Sequence, residues 1–445
     1  MIEEVTFNLA YDYEDLNNAA GSPFSIPGYS HLGPFQIPNN IVLKSNRQLT
    51  DWYRNKRDIL VFYPIHPISL TALAMPPGKE LETPSDMGSY FSPVALSLLQ
   101  DPRNKFMLLI DYRFEGWDLE KPHNPDQIIF FHSFINRYKI PANKIFFVHG
   151  NLNNDSSIYD NLPIDRNNIC NVNIFESITS GHINRTYTHN FTIEEKNYQT
   201  VSKKFVCKNN IPHGHRLFII DWLNRQNALK DIYWSLAGVK FKETLLQYHP
   251  MLLQYYYKDE HDTSLAVERT LKLLENGPVQ IDWPTYEVNV GNIAEDVQPK
   301  SYLDSCFSLV TETCFDERNT KLLFLTEKTF KPISTLHPFL IVGAYKTLDY
   351  LKELGYHTFP ELFDESYDNL PKYKDRMNVI LKNLTKVLKT PTLLLAKEFS
   401  TYSINKKLIE NQERLKDAGN YPNNTYNNEY GKFIKKQVDK YQKIL

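Results

Sequence analysis

Residues 338–342 (PFLIV) form an unbroken apolar run with a helical pattern on either side. A strand reads this way when helices cover both of its faces, as they do in parallel sheets. Upstream, 307–310 is a second short, β-rich apolar run. Between the two, Thr326 opens a helical segment whose first turn carries Glu327, Lys328 and Lys331. Threonine is a favoured N-cap because its hydroxyl accepts from an otherwise orphaned amide. Gly343 lets the chain turn out of the second strand, so 306–354 reads as strand, loop, helix, strand, helix: a βαβ unit.

Two lysines at the start of a helix oppose its dipole, which already places about half a positive charge there. A bound phosphate would remove that conflict, with Lys328 meeting it as a point charge. The alternative is that both lysines point into water, at a cost of about 0.3 kcal/mol each.

The same alternation recurs along the chain. Residues 59–63, 105–111 and 144–149 read as strands, 91–99 and 128–137 as helices, and 171–178 as a further strand. Residues 1–50 are rich in Gly, Pro, Asn and Ser and yield no assignable element. After a polar, aperiodic stretch at 181–197, read as a linker, the pattern restarts. Strands are expected at 203–208 and 233–236, with a helix from about His215 to Leu229 between them and amphipathic helices at 373–388 and 403–418. Strands alternating with helices at this spacing predict an α/β fold of two doubly wound, Rossmann-like lobes with C-terminal helices. The expected domains are 1–195, 196–390 and a helical tail, 391–445. At 445 residues the chain exceeds one ordinary core, which independently argues for two domains.

The balance of charge narrows the partners. A formal net charge of −2 is far from that of a dedicated nucleic-acid binder, so any polyanion contact must be local. The basic tail, with Ile434, Val438, Tyr441 and Leu445 at helical spacing, is expected to dock on the protein body; the sharper alternative is a peripheral contact with anionic lipid or nucleic acid. The four cysteines show no metal-ligand spacing and are expected to be reduced thiols. With no apolar window of about 18 residues and no leader-like start, the expectation is a cytoplasmic protein without a transmembrane segment.

A second cluster follows the strand at 203–208: Asn209, His213, His215 and Arg216. A strand, a turn and a helix opening with His-Arg would aim an arginine and backbone amides at a pyrophosphate; the alternative is an arginine pairing within the protein. Glu312, just past a strand end, and Glu327 would accept hydrogen bonds from hydroxyls, or Glu327 would simply cap its helix. Lys331 reads as solvated. No Gly-x-x-x-x-Gly-Lys-Ser/Thr loop, Gly-x-Gly-x-x-Gly or strand-borne Asp-x-Asp occurs, so no metal is expected at the site. The acidic 364–368 is expected to cap or turn a short element.

The segment Phe324-Leu325-Thr326-Glu327-Lys328 resembles the donor-site signature of the family 10 α-1,3-fucosyltransferases, where an aromatic, any residue and Thr-Glu-Lys open a helix. The preceding 307–313 is similar to the strand before it there, with Thr313 where that family has asparagine. The run continuing through 355–359 and 364–368 also resembles glycosyltransferase-like proteins of phages and other viruses. The likeness covers roughly the C-terminal half.

The resemblance implies a GT-B architecture, with the acceptor on the first lobe and a nucleotide-diphosphate sugar, GDP-linked, on the second. It implies that Arg216 and Lys328 hold the diphosphate and Glu327 the sugar or ribose, with Asn209, His215, Glu312 and Thr326 beside them. No permanently bound cofactor is implied; the donor is a substrate. Transfer with inversion needs a carboxylate base, and Asp111 or Glu115 of the first lobe is placed to supply it; His132 and His149 are further candidates, read rather as satisfied buried histidines. The acceptor, whether glycan, protein or modified DNA base, is left open. Two other readings stand beside this one: a transferase acting on a hydroxylated DNA base, and a catalytically degenerate binding or virion protein of the same fold.

Overall fold

The computed structural model of the protein describes residues 5–10, 41–46, 61–65, 93–112, 135, 138–153, 164–173, 175–176, 179–180, 191–196, 198–209, 213–236, 255–275, 299–315, 322–418, 432–433, 436–437 and 439–440. The chain divides into two compact units, one formed by 1–174 with 420–445 and the other by 175–419.

Unit 1 holds a six-stranded sheet in the order β2-β1-β3-β4-β5-β6, every neighbouring pair parallel. Its strands are β1 (Val5–Ala10), β2 (Ile41–Asn46), β3 (Val61–Ile65), β4 (Phe106–Tyr112), β5 (Ile145–His149) and β6 (Ile169–Asn171). Residues 106–110 of β4 and 145–148 of β5 are buried without alternation, as two-sided burial requires. Helix α1 (Pro93–Gln100) precedes β4. The buried Lys144 ammonium donates to the carbonyls of Leu98 (2.6 Å) and Asp101 (2.6 Å) and to Asn104 Oδ1 (2.8 Å), gathering the end of α1 onto the start of β5. The described tail residues belong here: Phe433 lies 6.0 Å from Phe146, and Gln437 donates to the Asn167 carbonyl at 2.7 Å.

Unit 2 holds a four-stranded parallel sheet in the order β10-β9-β7-β8, from β7 (Lys203–Cys207), β8 (Tyr233–Trp234), β9 (Ser305–Thr311) and β10 (Phe339–Val342). Its helices are α2 (Gly214–Arg225), α3 (Glu260–Leu273), α4 (Pro299–Leu303), α5 (Glu327–Ser334), α6 (Thr347–Glu353), α7 (Tyr373–Lys389), α8 (Thr392–Phe399) and α9 (Tyr402–Ala418). On one face, the Phe307 ring sits 5.0 Å from Phe205, 5.1 Å from Phe363 and 5.5 Å from Phe399. On β9 a buried histidine acts as a clamp: His337 Nε2 donates to the Ser305 carbonyl (2.9 Å), and Nδ1 accepts from the Ser308 hydroxyl (2.6 Å). Burial holds His337 well below the usual imidazole range and so neutral, as that pattern needs.

Several expectations change. Strand β1 and the edge strand β2 lie within 1–50, where the sequence shows no clear element. The strand expected over 171–178 ends at Asn171, and 175–176 are helical. The boundaries expected at 195/196 and 390/391 fall inside unit 2. The reason is packing: Phe191 is buried with its ring 6.4 Å from Tyr302, its carbonyl accepts from Gln412 of α9, and Phe399 of α8 stacks in the sheet's aromatic layer. Among the described residues no helix is long and apolar enough to cross a membrane, and no disulfide joins any of the four cysteines.

Candidate functional site

In unit 2 the chain enters at β7, adds β8 on one side, then crosses to lay β9 and β10 on the other. The connections therefore leave β7 and β9 in opposite directions, and the carboxyl ends of those two strands form a topological switch point, where open α/β sheets bind ligands. Unit 1 winds the same way about β1, with β2 on one side and β3 on the other.

Nearly all the polar residues singled out in unit 2 gather at this switch point. Thr311 ends β9, and its hydroxyl donates to Asn209 Oδ1 (2.6 Å) just beyond β7. The Asn209 amide donates to Ser235 Oγ (2.9 Å) beyond β8, so one asparagine ties three strand ends together. From the first turn of α2, Arg216 Nη2 donates to the Thr311 carbonyl (3.0 Å) and His215 Nε2 to the Glu312 carbonyl (2.8 Å). A carbonyl can only accept, so His215 carries its proton on Nε2. Burial, with the charges of Arg216 and His213, holds His215 well below the usual imidazole range. Phe315 covers its ring at 5.4 Å and is itself held by Arg376 of α7, whose guanidinium lies 5.0 Å over the Phe315 ring.

Glu312 is the hub. Its carboxylate is fully buried, and Oε2 accepts from the Thr326 hydroxyl (2.8 Å) and the Thr313 amide (3.2 Å). Oε1 accepts from the Thr326 amide (3.1 Å) and the Thr329 hydroxyl. With four donors converging on it, Glu312 positions the start of α5 and has no face left for a ligand. Thr326 is the N-cap, as its sequence context predicts: its hydroxyl accepts from the Lys328 amide at 3.3 Å.

The first turn of α5 differs from the expected phosphate cradle. The Thr326 amide goes to Glu312, the Lys328 amide to Thr326 Oγ1 and the Thr329 amide to the Thr326 carbonyl. The Thr326, Lys328 and Thr329 amides are therefore already engaged within the protein. Lys331 lies in the last turn of the eight-residue helix, where a cation suits the dipole. The conflict of Lys328 with the helix end is met instead by Glu327, whose Oε1 lies 3.0 Å from its ammonium.

The exposed part of the cluster is this ion pair, with side chains 25% exposed for Lys328 and 17% for Glu327. Arg216 is only 1% exposed. Burial pulls its guanidinium below the usual range, and the charges of Glu312 and Glu327 oppose that pull. Burial pushes the Glu327 carboxyl up, and the charges of Lys328 and Lys331 more than offset it, leaving it below the usual range. Arg216 and Lys328 thus both act on Glu327, in one electrostatic cluster.

The residues expected to supply a base are not brought into this picture. Asp111 lies in β4, but its side chain is outside the described residues, as are Glu115 and His132. His149 ends β5; burial lowers it to about 3, and Nδ1 accepts from the Asn151 amide at 3.1 Å. It is a buried core histidine, its ring stacked on Phe147 at 5.0 Å. In 364–368, Asp364 caps a short 3-10 helix (Glu365–Asn369), and Asp368 accepts from the Leu348 and Asp349 amides at the start of α6. Among the described residues no group of three or more His, Cys, Asp or Glu is arranged to hold a metal ion.

Thr329, Phe315 and Arg376 escape the sequence reading. Thr329 carries a usable signal, a hydroxyl one turn beyond the N-cap on the same helix face. Arg376 and Phe315 meet only through the tertiary fold.

No protein-family model and no curated protein matches this chain.

Proposed function

We propose that this chain is a metal-independent glycosyltransferase of GT-B architecture, moving a sugar from a nucleotide-diphosphate donor, GDP-linked by the family likeness, to an acceptor hydroxyl. The observation that carries the reading is the gathering of Arg216, His215, Glu312, Thr326, Glu327 and Lys328 at the switch point between β7 and β9. That is where a doubly wound sheet takes a nucleotide. The matching winding of the two sheets is compatible with a pair of Rossmann-like lobes.

On this reading Lys328 meets the diphosphate directly and Arg216 supplies positive potential from its buried position. Both would act in the transition state, where charge develops on the departing diphosphate. Glu327 accepts from a ribose or sugar hydroxyl, and Asp111 or Glu115 of unit 1 takes the proton from the acceptor. Glu312, Thr326, Thr329 and Asn209 hold the geometry.

A second reading has its own support. The Lys328 and Thr329 amides of α5 are internally bonded and Lys328 is paired with Glu327, as expected if the fold were kept as a catalytically inert binding or virion protein. A DNA-directed transferase differs only in its acceptor, and salt-sensitive duplex binding would reveal it.

A thermal-shift panel of nucleoside diphosphates and their sugars, with and without EDTA, tests the reading. A true donor at about 100 times its Kd adds roughly 2.7 kcal/mol of stability, and chelation leaves the shift unchanged. Donor hydrolysis or transfer then separates the enzyme from the inert module.

A further inference from the structure

The Lys328–Glu327 pair raises a chemical difficulty for any anion at this site. Its 3.0 Å contact joins neighbouring residues at the solvent-facing edge of the cluster, and the Lys328 ammonium also donates to Thr326 Oγ1 at 3.1 Å. The Lys328 and Thr329 amides of that turn are already bonded within the protein, so side-chain cations supply most of the charge a diphosphate would meet there. Lys328, partly exposed at this edge, is already matched to a carboxylate. A phosphate oxygen cannot bind beside Glu327 without either repulsion or a rearrangement of the pair.

Thr326 is fixed by Glu312, and the α5 backbone is fixed by Thr326 and Thr329. The two side chains beyond that frame are partly exposed and paired with each other. Glu327 also sees Arg216 and Lys331, so its charge is held by more than one cation and need not follow Lys328.

We propose that Glu327 is a built-in counter-ion which occupies Lys328 until the diphosphate of a ligand takes its place, and which then turns to accept a hydroxyl of that same ligand. Deepening the proposed function and resting on it, this exchange makes the site selective. A bare diphosphate must displace Glu327 and gives it nothing in return, whereas a nucleotide sugar offers the displaced carboxylate hydroxyl donors. Recognition of the anion and of the sugar are thereby coupled through a single side chain.

The test is calorimetric titration of inorganic pyrophosphate, nucleoside diphosphate and nucleotide sugar into the full chain and its Glu327→Gln and Lys328→Met variants, at fixed salt. Glutamine keeps the size of the side chain and removes its charge. The expected result for Glu327→Gln is pyrophosphate binding about fivefold tighter, equivalent to about 1 kcal/mol and in keeping with a partly exposed ion pair. In the same variant the preference for nucleotide sugar over nucleoside diphosphate falls. Lys328→Met loses binding of all three. If Lys328→Met abolishes binding while Glu327→Gln leaves pyrophosphate unchanged or weaker, the exchange is overturned and the donor-site reading stands. If the unmodified chain binds none of the three, both fail. Urea unfolding of each variant identifies a misfolded protein, and Glu327→Asp, which keeps the charge, must then reproduce the weaker pyrophosphate binding of the unmodified chain.

Discussion

Replacing Glu312 by glutamine tests the frame beneath the candidate site. The carboxylate accepts from the Thr326 amide and hydroxyl, the Thr313 amide and the Thr329 hydroxyl, all against one fully buried side chain. Glutamine offers one acceptor oxygen and turns an NH2 group toward donors that need an acceptor. Two buried donors stranded in this way cost about 1–3 kcal/mol each. Arg216 also loses the carboxylate that most offsets its burial, and removing one partner from buried charges costs about 3–5 kcal/mol on its own. Because these effects overlap, the expected loss is about 4 kcal/mol rather than their sum. For a unit of this size, each kcal/mol shifts Tm by roughly 2–4 °C, so the unit 2 transition should fall by roughly 12 °C. Calorimetry suits the measurement because the two units need not unfold together, and unit 1 supplies an internal control. A loss under about 1 kcal/mol would refute the argument that Glu312 organises the start of α5.

Other changes probe separate parts of the account. Burial raises the Asp368 carboxyl to about 6 against the backbone amides of Leu348 and Asp349, while in the unfolded chain it titrates near the ordinary value. A raised folded pKa gives stability that is complete below about pH 4 and lost as pH rises through about 6, about 3 kcal/mol in all; Asp368→Asn should flatten unfolding free energy across that window. At Gly343 an added Cβ would lie 2.9 Å from Thr347 Oγ1, so Gly343→Ala should cost about 1–3 kcal/mol by denaturant titration. Lys144→Met removes a charged donor shared by the Leu98 and Asp101 carbonyls and Asn104 Oδ1, each of which keeps a second donor, and should destabilise unit 1 by about 1.5–3 kcal/mol while leaving the unit 2 transition in place.

Much of unit 2 is legible because its signals are local. The apolar runs ending at Val342 and Thr311, the N-cap at Thr326 and the helix opening at Gly214 are each written within a few residues. The pairing of Glu312 with Thr329, 17 residues on, is not local, and neither is the grip of Arg376 on the Phe315 loop 61 residues away. Such contacts depend on which strand ends the sheet order brings together, and no periodicity encodes that. The unit boundary eluded the sequence for a similar reason: residues 181–197 look polar as a string, yet Phe191 and Lys196 within that span are buried. Lys328 shows the same limit on a smaller scale. Sequence places it at a helix start, where an anion is wanted, but only the structure shows that the neighbouring glutamate supplies one.

The central claim is that the switch point between β7 and β9 takes a nucleoside diphosphate through Lys328, and direct titration of GDP into the unmodified chain and Lys328→Met tests it. Saturable binding by the first, lost in the second with the fold intact, is the predicted result. Absence of binding, or equal binding by both, would contradict it.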